Sequence, residues 1–302
     1  MTLLPLFLAC SQELIPGERV LGADLPVEAF YGEEGDLLGW TVAGAEGAWM
    51  GAAPGGEYSL GLGLAGETVP RRTSAPARWV GVWEGRLIQA APEGLYLDGA
   101  LVWDDEPITS MAVGPSIFVT TATELLALST EGEVRWSAPA RGARGIAVGV
   151  DRVVVGLCGE RCEVRGWTLG GQGLGTLLDA GRHGAIAEWS GLLWAGDPMW
   201  EEDLGRGRVC NEVGVCIEGE PGDHLGVGIG GGYAAGVFNR HLTPQRARIV
   251  PLVAAGPVLV LETGAEGQVL SLAGDEETLV IGAPHQAHGG AVVGAMFLRH
   301  HL

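Results

Sequence analysis

GQVLSLAGDEETLVIGAPHQAHGGAVV, from Gly267 to Val293, has a near copy at the other end of the chain, GWTVAGAEGAWMGAAPGG, from Gly39 to Gly56. Both run through a strand of small residues, an Ala-Gly turn, a short apolar strand, Gly-Ala-Pro and a glycine turn. Self-similarity at a fixed period marks a repeat architecture, because every unit needs the same turning and buried positions.

Aligning on the apolar strand before each turn carries the register through the middle of the chain. RWVGVWEGRLIQAAP ends at Pro92, SMAVGPSIFVTTA at Ala122, and GIAVGVDRVVVGLC at Cys158. AIAEWSGLLWAGDP ends at Pro198, GVGIGGGYAAGVF at Phe238, and the last copy at Pro284. Seven anchors recur at about 38 residues, the length of one four-stranded blade. A blade cannot bury both faces alone, so its neighbours must stack radially around an axis. The expectation is an all-β, seven-bladed β-propeller of four-stranded antiparallel blades. Ten tryptophans, Trp40, Trp79, Trp136, Trp167 and Trp194 among them, suit wedge-shaped packing between blades. The segment from Arg19 to Tyr31 precedes the first copy, and could close the ring as an outer strand of the last blade.

Composition agrees. The chain has 302 residues, 52 of them glycine, and 47% hydrophobic residues, enough to bury a large core. Glycines among short Val, Ile, Leu and Trp runs indicate many turns and short strands, and no long amphipathic helical pattern is present. Net charge is -19, and every basic residue is Arg, without a basic cluster. Nucleic acid is therefore not an expected partner, since a phosphate backbone needs a basic face.

Met1 to Ala9, MTLLPLFLA, is an apolar run ending in a small residue before Cys10. The alternative to a processing signal is a frayed terminus with an incidental cysteine. The run resembles a bacterial lipoprotein signal with Leu8-Ala9-Cys10 as lipobox, although it is short and lacks Lys or Arg. That resemblance implies cleavage after residue 9, lipidation of Cys10, a short tether over 10–18 and a single propeller domain over 19–302. It places the protein in the bacterial cell envelope as an outer-membrane lipoprotein, held to the membrane by lipid.

The other cysteines form two local pairs, Cys158 with Cys162 and Cys210 with Cys216. Each brackets a short polar or glycine-containing segment, as suits a disulfide across a turn in an oxidising compartment. A zinc site would need all four thiolates to converge, and neither spacing is Cys-x-x-Cys.

Other chemical signals are thin. Gly226-Val-Gly-Ile-Gly-Gly231 matches a dinucleotide-binding string, but strand-like residues follow it where a helix is required. His285, His288, His300 and His301 gather near one end, as loop and tail residues or as a transition-metal site. Asp104-Asp105 and Glu201-Glu202 read as solvated turns. No catalytic, cofactor-binding or metal-binding residue is assigned, and no cofactor is expected.

The terminal copies resemble FG-GAP repeats, the blade motif of integrin-alpha-like propellers. The resemblance covers Gly39–Gly56 and Gly267–Val293 well and the middle copies loosely. It implies a binding scaffold that engages a protein or surface ligand through its loops; the chain is expected to be a monomer. The calcium loops of that family need alternating acidic residues, and Glu33-Glu34-Gly35-Asp36 and Asp275-Glu276-Glu277 lack that spacing. A second run, ATELLALSTEGEVRW from Ala122 to Trp136, resembles a PQQ-type propeller repeat, also found in outer-membrane assembly lipoproteins. It implies either an assembly scaffold or a periplasmic quinone-dependent enzyme.

Overall fold

A computed structural model describes residues 18–45, 48–55, 60–62, 70–72, 77–84, 86–159, 162–180, 184–237, 245–253, 256–263, 271–275, 278–288, 291–292 and 294–300. The chain folds as an all-β propeller in which antiparallel sheets succeed one another around a central axis. Sheet 1 comprises Val42–Ala45, Ala48–Gly51, Leu60–Leu62 and Pro70–Arg72, from the axis outward. Sheet 2 follows with Trp79–Trp83, Arg86–Ala91, Gly94–Leu97 and Ala100–Trp103. Sheet 3 is Ser110–Val113, Ile117–Thr120, Glu124–Leu128 and Val134–Pro139. Sheet 4 is Ala143–Val148, Arg152–Cys158, Cys162–Thr168 and Gly173–Ala180. Sheet 5 is Ile186–Trp189, Leu192–Asp197, Arg208–Asn211 and Cys216–Glu218.

The last two sheets depend on the N-terminal segment. Sheet 6 has Gly228–Gly230, Tyr233–Val237, Gln245–Pro251 and Val258–Thr263, and Glu18–Val20 adds in parallel to Val258–Val260 as a fifth strand. Sheet 7 has Ser271–Gly274, Thr278–Ala283 and Ala295–His300, completed outside by Glu28–Tyr31. The expected uniform set of seven four-stranded blades is therefore corrected. Among the described residues six sheets have four antiparallel strands, one carries five because the chain entering the ring pairs with its edge, and Ala287–His288 forms a separate two-stranded ribbon with Ala291–Val292. The outer strand expected from Arg19–Tyr31 is found: Tyr31 lies opposite Ala295 and Glu28 opposite Leu298. An exposed edge is thereby paired within the molecule.

Each repeat anchor falls on the two innermost strands of a sheet. The burial patterns explain why these positions kept their signal. Second strands are covered on both faces by neighbouring sheets, so Ile117–Thr120 and Thr278–Ala283 are buried throughout and read as unbroken apolar runs. Innermost strands converge on the axis, where space is short and Ala and Gly recur. Outer strands such as Val134–Pro139 are largely exposed and carry mixed residues.

The core is distributed between sheets rather than gathered at one centre. One cluster joins Ile88, Leu95 and Trp103 of sheet 2 to Ile117 and Leu128 of sheet 3. Another joins Phe118 and Leu125 of sheet 3 to Val155 and Trp167 of sheet 4. A further cluster packs Leu38, Val280 and Met296 with Ala53, closing sheet 7 against sheet 1. Burying a Leu, Ile or Phe side chain contributes roughly 1.5–3 kcal/mol, and here each does so only when the neighbouring sheet is present. The tryptophans act as expected. Trp103, Trp167 and Trp194 are buried, and Trp136 tilts against Phe118 while its indole N–H donates to the Leu169 carbonyl at 2.9 Å.

Candidate functional site: the channel mouth and its side pocket

Antiparallel order puts the first-to-second turns, and the third-to-fourth turns of the sheets whose outer strands are consecutive, at one end of the ring, here the turn face. The innermost strands leave an axial channel of about 290 Å³ between them. Its walls are small and apolar: Ala43, Val80, Val113, Ala147, Ile186 and Ala273 come from six different sheets. Among the described residues lining it, Glu188 is the one ionisable side chain, and Trp189 follows it at the turn-face mouth.

Glu188 is held in an ion pair. Arg152, just past the first turn of sheet 4, donates its Nε–H to Glu188. Its other nitrogens grip Glu212 of sheet 5 bidentately, Nη1 to Oε2 at 2.9 Å and Nη2 to Oε1 at 2.7 Å. Glu212 also accepts from the Leu193 backbone N–H at 3.1 Å. The Arg152 hydrogen bond, helped by that amide, holds the Glu212 carboxyl below the usual carboxylate range despite partial burial. Arg152 is in turn pushed further above its ordinary value, first by the Glu212 hydrogen bond. Two carboxylates share one guanidinium, so the cluster keeps one surplus negative charge beside the mouth.

The turn that carries Glu212 is braced. The Cys210–Cys216 disulfide joins directly paired strand positions with a Cα–Cα distance of 4.1 Å. Inside it, the Asn211 side-chain oxygen accepts from Val215 N–H at 2.9 Å and Val213 N–H at 3.2 Å. The Cys158–Cys162 disulfide, also spanning paired positions, closes a second-to-third turn at the opposite end of the ring. The two bridges expected from the cysteine spacing are thus formed, and only one lies at this mouth.

Beside the mouth, over sheet 6, a second cavity of about 220 Å³ opens between three sheets. Trp189 comes from sheet 5, Tyr233, Pro251 and Val253 from sheet 6, and Asp275 from sheet 7. Gly232 has φ +79°, and a Cβ there would stand 2.8 Å from the Trp189 ring, so glycine is what lets the indole lie against the turn. Asp275 caps its own turn, its Oδ1 accepting from the Thr278 N–H at 2.9 Å.

The remaining sequence candidates scatter. Cys10, the processing segment before it and His301 lie outside the described residues. His288 is exposed and stacks on Tyr31 with ring centroids 4.2 Å apart, while His285 meets Trp40 edge-on at 6.4 Å. Among the described residues no three His, Cys, Asp or Glu side chains cluster as a metal site. Gly228, Ile229 and Gly230 form the innermost strand of sheet 6 and lead through Gly231 and Gly232 into a second strand, which is not the strand-to-helix turn a dinucleotide site requires. Asp104, Asp105, Glu201 and Glu202 are exposed turn residues, as expected. Sequence reasoning missed Arg152, Glu188, Glu212, Trp189 and Tyr233, and weighed Asp275 only as a calcium-loop residue. The one local signal was Gly231-Gly232 beside Tyr233, which marks backbone packed tightly against an aromatic.

No protein-family model matches the chain, and no curated protein matches it. Solved structures do. Virginiamycin B lyase from Staphylococcus aureus is similar over 91% of this chain and 99% of its own, at 12% identity and a TM-score of 0.61. The computationally designed Ika8 protein is similar over 89% and 98%, at 11% identity and a TM-score of 0.58. BamB from Moraxella catarrhalis is similar over 90% and 98%, at 13% identity and a TM-score of 0.52. Such low identities establish the propeller fold alone.

Proposed function

We propose that the chain is an envelope lipoprotein, anchored through Cys10, whose seven-bladed propeller is a binding scaffold for a protein or surface ligand, engaged at the turn face. The observation that carries this reading is the state of the channel mouth. Most side chains lining it are small and apolar, its ionisable residue Glu188 is committed to Arg152, and a braced turn fixes that pair from outside. A rigid rim around an apolar opening suits recognition, which loops on a fixed scaffold commonly perform. The FG-GAP-like terminal copies support the same reading.

Cross-linking in intact cells, followed by mass spectrometry, tests it. Cross-links from turn-face residues of sheets 4 to 7 to a defined partner are expected. A bound chromophore or stoichiometric metal in the purified protein would instead favour an enzyme. Anchoring is tested separately: Cys10→Ala protein is expected to leave the membrane fraction, and retention there overturns the lipoprotein assignment. A second reading, an assembly scaffold in the envelope, has its own support. The PQQ-like run Ala122–Trp136 lies in the outer half of sheet 3, and BamB is among the structures of the same fold. Cross-links to β-barrel assembly proteins would select it.

A further inference from the structure

The side pocket beside the channel combines features that apolar docking alone does not call for. Two aromatic side chains from different sheets, Trp189 and Tyr233, bound a cavity of about 220 Å³ whose far wall holds a carboxylate, Asp275. Pro251 and Val253 complete an apolar rim, and no cationic side chain is among the described residues that line it. Glycine keeps the floor open: a Cβ at Gly256 would stand 3.2 Å from the Pro251 ring and 3.4 Å from the Tyr233 hydroxyl oxygen. Trp189 directly follows Glu188, the acidic residue paired with Arg152, in the strand Ile186–Trp189. The protein as a whole carries -19.

From these features we propose that the pocket binds a compact organic cation, an alkylated or quaternary ammonium group with a small apolar body. The physical reasons are specific. A ring face attracts a cation through its quadrupole, and a quaternary ammonium, which sheds water easily, gains most from an aromatic enclosure. The Asp275 carboxylate supplies charge complementarity that an apolar ligand would not use and an anion would oppose. At about 220 Å³ the cavity is smaller than the usual pocket for drug-sized ligands, so it suits only a compact ligand. The inference rests on the turn face being the binding face, and it names a ligand class for one part of that face.

The probe is choline, compared with its neutral isostere 3,3-dimethylbutan-1-ol, titrated by tryptophan fluorescence and by calorimetry against the purified full chain. Saturable choline binding is expected, at least tenfold tighter than the isostere. Trp189→Leu and Asp275→Asn are each expected to weaken it by tenfold or more, with unfolding midpoints recorded to confirm folding. Val253 is more than half exposed at the rim, so Val253→Trp should close the pocket without disturbing the core and abolish binding. Equal affinity for the isostere, binding unchanged in Asp275→Asn or Val253→Trp, or no saturation by choline overturns the assignment. Partner cross-links at the turn face that survive Val253→Trp would show that the scaffold reading stands although the pocket reading has failed.

Discussion

Arg152 and Glu212, sixty positions apart, face each other across the boundary between two sheets with both guanidinium Nη atoms on both carboxylate oxygens, at 2.9 and 2.7 Å. Because the same guanidinium also holds Glu188, whose side chain is only 7% exposed, this pair decides whether a charge can reside in the channel wall. Arg152→Met should cost about 3 kcal/mol in urea unfolding, mostly from stranding Glu188 without a partner. Adding Glu188→Leu should recover a large part of that loss. If the double variant is as unstable as the single one, the stranded charge is not the cause.

The same pair sets an acid dependence. The Glu212 carboxyl is held below its usual value in the folded protein, so its contribution is complete above the unfolded value, about 4.3, and is lost as pH falls through the folded one. Asp223 behaves in the opposite sense. Burial raises it, with Arg248 opposing, so its ionisation disfavours the folded state above its folded value and is relieved as pH falls towards the unfolded one. Urea midpoints between about pH 7 and 3 should therefore fall less steeply on the acid side in Glu212→Gln than in the parent. An unchanged acid limb would show that Glu212 does not titrate across this range with folding.

Gly39 stands where the first sheet meets the last. Its φ is +86°, and a Cβ there would press on the Ala283 backbone nitrogen at 2.8 Å and on the Ala295 carbonyl oxygen. Its own carbonyl accepts from the Ser271 hydroxyl at 3.1 Å. Gly39→Ala is expected to cost at least about 2 kcal/mol, since strained backbone and a backbone clash coincide. Gly35, with φ +86° and open space around its Cβ position, provides the comparison: Gly35→Ala should cost about 1 kcal/mol, from conformation alone.

Each disulfide closes a very short loop, so removing either should cost only about 2 kcal/mol by loop entropy. Their functional consequences should differ. Cys210→Ala with Cys216→Ala loosens the turn holding Glu212 and should add sensitivity to acid, read by the same urea midpoints. Cys158→Ala with Cys162→Ala, at the opposite end, should lower stability without changing its pH dependence. Matching pH profiles for both double variants would separate the bridge from the ion cluster.

Much of this architecture could be read from the chain because the innermost two strands of each sheet have the least freedom. Ile117–Thr120 and Thr278–Ala283 must be apolar on both faces, and the strands before them must be small. Outer strands such as Val134–Pro139 answer only to solvent on one side, so their period faded. The five-stranded sheet was illegible for a different reason: Glu18–Val20 pairs in parallel with Val258–Val260, and no local pattern records a partner 240 residues away. The site was hidden likewise. Trp189, Tyr233 and Asp275 are unremarkable within their own repeats and become a pocket only when three sheets stand side by side. Arg152, Glu188 and Glu212 resembled ordinary surface charges until their sheets met.

The pairing of Glu28–Tyr31 with Ala295–His300 also imposes an order of events during synthesis. Glu28–Tyr31 has no sheet to join until Ala295–His300 has left the ribosome, and Phe30 cannot settle against Trp49 in the closed ring before then. Contacts of such long sequence separation form slowly, and an unpaired edge left waiting is prone to association. Successive sheets can stack as they are made, but the circle is completed only when Glu28–Tyr31 pairs with Ala295–His300, which makes ring closure a late step in folding.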